Sequence, residues 1–147
     1  DLPTLDIEGV TVRLLAGHGW KEESPVDTTS PLIYALAEMK AGQSLGLPDH
    51  EERGVYAVSG NVSADGETNR EHEMLVLDPG CSRLEAVTDS TVALLGGDAI
   101  GERHMWWNLV HSDRECLREQ AQRWRDGRFP TIEGDDVEFI PAPERGP

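Results

Sequence analysis

The chain has 147 residues, 37% hydrophobic and 28% charged, which suits one globular domain with a core of its own and leaves no window apolar enough for a membrane-spanning helix. Its formal charge of −15 at pH 7 opposes docking on phosphate backbones or anionic lipid, because such binding draws on clustered Lys and Arg. Neither nucleic acid nor membrane is expected as a direct partner, and the two cysteines, Cys81 and Cys116, are too few for a disulfide framework and match no zinc pattern, so reduced thiols in a cytoplasmic protein are the simplest expectation.

From Ile7 to Val110 the chain reads as short strand-like runs with turn signals about ten residues apart, the pattern of an all-β sandwich or barrel. The predicted strands are 9–16, 31–40, 53–59, 73–77, 82–87, 91–95 and 104–110. Gly60-Asn61, Asp65-Gly66, Pro79-Gly80 and Gly96-Gly97 punctuate them. The run 54–59 alternates poorly, as a strand covered on both faces does. If 104–110 is one strand, Trp106 and Trp107 point to opposite faces; one enters the core and the other needs a cover. That cover is the following helix through Trp124, another barrel, or a second copy of the chain.

Ser112 and Glu115 read as a capping box that opens a helix over 112–127. Leu117, Ala121 and Trp124 share one face at i, i+4 and i+7, and Gly127 supplies the stop. Residues 131–147 are acidic, carry prolines and lack a helical period, so they read as an extended tail.

Little in the pattern points to chemistry. His18 in a Gly-rich loop, His72 in an acidic turn and His111 before the helix read as exposed or locally bonded. His104 beside Arg103 reads as packing, with catalysis the rival. Cys81 has only Arg83 as a basic neighbour in sequence, too little to mark an activated thiol, and Cys116 reads as core. No nucleophile elbow and no phosphate-cradling glycine loop occurs.

The runs Gly9-Val10-Thr11-Val12-Arg13-Leu14-Leu15-Ala16-Gly17, Ser24-Pro25-Val26 and Pro31-Leu32-Ile33-Tyr34, with Trp106-Trp107-Asn108 and Trp124-Arg125-Asp126-Gly127-Arg128-Phe129, resemble the C-terminal half of pirin-family proteins. The resemblance implies a cupin-type jelly-roll barrel plus one helix over 1–130, followed by the tail 131–147, in which Glu138-Phe139-Ile140-Pro141 resembles a strap over the domain. It implies a bicupin parent from which this half is excised. The parent's N-terminal barrel would hold Fe or another divalent transition metal and carry a quercetin 2,3-dioxygenase activity or a redox-linked regulatory role. This half would be non-catalytic, with that N-terminal cupin, or a second copy in a homodimer, as partner.

A cupin's first motif runs Gly, His-x-His, Glu, Gly, and here it falls on 42–60 without the His-x-His. Counting back from Gly60 places Glu52 or Arg53 at the carboxylate and Pro48 or Asp49 at the second histidine, with His50 off by a residue or two. The second motif needs a histidine soon after Pro79-Gly80, and Cys81-Ser82-Arg83-Leu84-Glu85 has none. The resemblance therefore assigns this chain no catalytic residue, cofactor or metal. His50, Glu52, Arg53 and Arg83 are the polar groups expected at its vestigial barrel mouth, and Trp106, Trp107 and Trp124 are interface candidates. The rival readings are a free-standing module that takes a small apolar ligand or pairs with itself, and an enzyme with a displaced metal at His50 and Glu52.

Overall fold

The computed structural model describes residues 1–146. They fall into two compact units, Asp1–Ala99 and a second that begins at Ile100.

The first unit is built of β1 (Thr4–Ile7), β2 (Val10–Gly19), β3 (Glu22–Glu23), β4 (Leu32–Met39), β5 (Ser44–Gly46), β6 (Glu52–Ser59), β7 (Val62–Ala64), β8 (Glu67–Asn69), β9 (Met74–Leu77), β10 (Arg83–Ala86) and β11 (Ser90–Gly97). One sheet has the order β1-β2-β4-β11-β6-β9 with β3 paired to β2, and the other has the order β5-β10-β7-β8. Every pairing is antiparallel. β2 shows how sequence makes this. Val10, Val12 and Leu14 are fully buried while Thr11 and Arg13 between them face solvent, the period of two that a half-buried strand requires.

Inward residues of both sheets meet in one core: Val12, Leu14, Ile33, Val55, Val92 and Leu94 from the larger, Leu45, Val62, Leu84 and Ala86 from the smaller. Each fully buried Val, Leu or Ile removes enough apolar area from water to contribute roughly 1.5–3 kcal/mol. The two-sheet β-barrel with one C-terminal helix is thus the architecture the sequence predicted. β6 differs from expectation, because only its inner face is closed. Val55 and Ala57 are buried, Gly54 and Tyr56 are half-covered, and Val58 is exposed.

Turn chemistry follows the sequence at Asp65-Gly66, where φ values of 49° and 84° close the β7–β8 hairpin between the partners Ala64 and Glu67. Gly96-Gly97 is not a break. β11 runs through both residues, which pair with Ile33 and Leu32 on β4 and with Arg53 and Glu52 on β6. A Cβ at Gly96 would lie 2.7 Å from the Glu52 carbonyl, so glycine serves close strand approach there.

The second unit contains β12 (His104–Trp106), β13 (Leu109–His111) and α1 (Arg114–Arg125). The predicted single strand over 104–110 is corrected to a hairpin, with Trp107 in the turn at φ 53°; its two tryptophans do not alternate across one strand. The predicted capping box is corrected too. Asp113, not Ser112, caps the helix, its carboxylate accepting from the Glu115 and Cys116 backbone N–H groups at 2.7 and 3.3 Å. Leu117 and Ala121 are buried and Trp124 is half-buried, the face the periodicity marked. Among the described residues the tail forms no strand ladder beyond an isolated Ile132–Asp135 bridge. Its carbonyls at Ile140, Pro143 and Arg145 accept from Trp124, Arg125 and Trp106. No described helix is long and apolar enough to cross a membrane.

Candidate functional site

Arg53 is the group that decides what the barrel can hold. It sits on the inner face of β6 beside Val55, with only 6% of its surface exposed. Its guanidinium donates to three backbone carbonyls, Pro48 at 3.3 Å, Asp78 at 3.3 Å and Pro79 at 2.9 Å. These carbonyls come from the loop before β6 and the turn after β9, so one side chain ties together the two segments that the cupin motifs occupy. Glu52, one residue earlier, points to the opposite face and is exposed, as strand alternation dictates. Of the two candidates for the motif's carboxylate position, the inward one is therefore a cation.

His50 is also buried, at 5% exposure, and its contacts are with His18. Its Nε2 lies 3.0 Å from the His18 carbonyl and its ring packs 4.7 Å from the His18 ring. Arg83 is not brought to this group. It lies on the exposed side of β10, where it pairs with Glu8 at 2.7 Å and donates to Ser44 Oγ at 2.9 Å. That guanidinium holds the Glu8 carboxyl below the usual glutamate value. The vestigial-mouth set thus divides into an inward Arg53, a buried His50 near it in sequence, and two outward side chains.

The Cys81 thiol, 2% exposed, is pushed up by burial and by a hydrogen bond with Asp65, the opposite of activation. His72 is an exposed partner of Glu71 at 3.4 Å, and His111 Nδ1 accepts from the Asp113 N–H at 2.8 Å. His104 is half-buried and 3.9 Å from Glu102. Among the described residues no three His, Cys, Asp or Glu side chains converge as metal ligands. A cupin metal needs imidazole and carboxylate donors aimed into the barrel, and a guanidinium has no lone pair to give, so the residues present do not fit one.

The sequence reading missed the cleft formed by His18, Gly19, Trp20, Lys21, Glu22, Glu23, Pro48, Asp49 and His50, an open space of about 600 Å³. His18 and His50 are 32 positions apart, and nothing in either local pattern announces the contact.

The three interface candidates are engaged within the second unit. Trp107 stands edge-on to Trp124 at 5.1 Å, Trp106 and Trp107 are 6.0 Å apart, and Arg125 lies over Trp106. Trp106 Nε1–H donates to the Arg145 carbonyl and Trp124 Nε1–H to that of Ile140, each at 3.0 Å. All three indoles remain half-buried.

Known proteins resemble this chain in sequence and in fold. A pirin-like protein of Caulobacter vibrioides is 36% identical over 98% of this chain and 51% of its own length. A Pseudomonas aeruginosa protein bearing a provisional quercetin 2,3-dioxygenase name is 36% identical over 97% of this chain and 49% of its own. The crystal structure of a quercetin 2,3-dioxygenase from Acinetobacter baumannii superposes with a TM-score of 0.82 at 25% identity, covering 97% of this chain and 50% of that one. The chain spans about half the length of the curated relatives it matches. The family model of the pirin C-terminal cupin domain matches residues 34–130, and the chain belongs to the pirin family as that domain.

Proposed function

We propose that this domain is the non-catalytic C-terminal cupin of a pirin-like protein, and that the N-terminal half its relatives possess carries the metal, Fe or a similar divalent ion, together with a quercetin 2,3-dioxygenase or redox-linked regulatory activity. Arg53 carries this reading. A cupin active site spends its inward carboxylate on the metal, whereas here that position is a guanidinium whose hydrogen bonds are spent on three carbonyls. Removing a metal site leaves buried polar positions that need partners, and an arginine tied to the loop backbone fills them. What remains for this half is to support and cover its partner barrel.

The test is metal retention. The purified chain, incubated anaerobically with Fe(II) or Mn(II) and desalted, is expected to retain well below one equivalent of either by mass spectrometry and to leave quercetin unchanged. About one equivalent of Fe that disappears in His50→Ala and persists in His18→Ala would place a working cupin centre here and overturn the reading.

A further inference from the structure

We propose that His18 and His50 form a surface site for a borderline divalent transition cation of the Zn(II) class, in the cleft beside the β2–β3 hairpin. A carbonyl oxygen only accepts, so the 3.0 Å contact between His50 Nε2 and the His18 carbonyl places the hydrogen on Nε2. In the neutral ring the lone pair then sits on Nδ1. No described group donates to it, and His50 lines the cleft although only 5% of the residue is exposed. A histidine that gives one N–H to a backbone carbonyl and keeps the other nitrogen free has the arrangement of a metal ligand, tautomer and ring orientation already fixed.

The second imidazole is held nearby. The His18 ring centroid is 4.7 Å from that of His50 with the planes at 50°, and neither of its nitrogens has a partner among the described residues. His18 pairs with Glu23 and Gly19 with Glu22 across a two-residue turn, Trp20-Lys21, at φ 51° and 68°. Trp20 Nε1–H donates to the Gly46 carbonyl at 2.7 Å and pins that turn to the smaller sheet. The site is therefore built on anchored backbone.

The chemistry selects the ion. Two imidazoles without a thiolate suit Zn(II), Cu(II) or Ni(II), while Mg(II) and Ca(II) prefer all-oxygen sets. Glu22, Glu23 and Asp49 line the same cleft against the single positive charge of Lys21, a balance that attracts cations and repels anions. Two protein ligands leave the remaining positions to water.

Titration calorimetry of the chain with Zn(II) at pH 7.5 in a non-chelating buffer is expected to show one equivalent that Mg(II) does not displace. His18→Ala removes an exposed ring and leaves the core intact, and it should weaken binding about tenfold or more, as should His50→Ala. His104→Ala, opposite His111 on the other hairpin, should leave binding unchanged. Nitrogen-15 imidazole spectra should show the His50 Nδ1 signal move on Zn(II) addition while Nε2 keeps its proton. Absence of binding heat, wild-type affinity in His18→Ala, loss of the equivalent in His104→Ala, or an unmoved Nδ1 would each overturn the site. Since Fe(II) and Mn(II) lie lower in the affinity order for such donors, their retention after desalting reports on the barrel, not on this cleft.

Discussion

At the scale of single residues, Arg53 shows how strand alternation sends neighbouring side chains to different surroundings. Glu52 and Arg53 are adjacent, yet the pleat sends one to solvent and the other to the barrel interior. A carboxylate at 53 would restore the motif's residue type but would face three carbonyl oxygens. Arg53→Glu is therefore expected to destabilise more than Arg53→Met, which keeps the apolar stem. Arg53→Ala should cost about 2–4 kcal/mol by denaturant unfolding, since it leaves those carbonyls without donors and a void among core side chains. A ranking in which Arg53→Glu is the mildest of the three would contradict the cradle. Nothing in the one-dimensional count separates position 52 from 53; the register of β6 against β9 and β11 does, through Arg53↔Leu77 and Arg53↔Gly96.

At the scale of elements, the longer strands were legible because eight or ten residues show their alternation several times over, as in β2, β4 and β6. β3, β5, β7 and β8 have only two or three residues each and cannot display a period. They form because a neighbour already presents its edge. The helix face was legible for the same reason of repetition, while its cap slipped by one residue. Ser112 and Asp113 are both good caps, and the choice between them depends on where the β12–β13 hairpin delivers the chain. Asp113→Ala is accordingly expected to lower helicity and the melting temperature, and Ser112→Ala to leave both nearly unchanged, by circular dichroism. The Asp113 carboxyl is held below its usual value, chiefly by the Glu115 N–H and then by the Cys116 N–H. Its folded pKa lies below its unfolded one, so its contribution is present above the unfolded value and is lost as pH falls through the folded value. The mutant's deficit should therefore shrink on acidification.

At the scale of the whole molecule, the same sign holds for Glu8 beside Arg83, Asp89 with the Ala41 N–H and Lys40, and Asp126 with Gln122 and Arg128. Stability should fall as pH drops below the ordinary carboxylate range, where these groups protonate. Near neutrality the opposing effect dominates. With a formal charge of −15 the folded chain repels itself more than the expanded one, so added salt at pH 7 should raise the melting temperature and the gain should vanish near the isoelectric point of about 4.5. Scanning calorimetry over salt and pH checks both signs; a fall in melting temperature with salt at pH 7 would show the local ion pairs outweigh the net field.

By itself the sequence determined the all-β class, the longer strands, the helix and its apolar face, the family, and the loss of the His-x-His motif, because each is written in local period or in residue type. Tertiary structure alone decided that the inward cation is Arg53, that Gly96-Gly97 lies inside a strand, that the paired tryptophans occupy a hairpin, and that His18 meets His50. These facts depend on register and on contacts between segments tens of residues apart, and no local pattern carries that information.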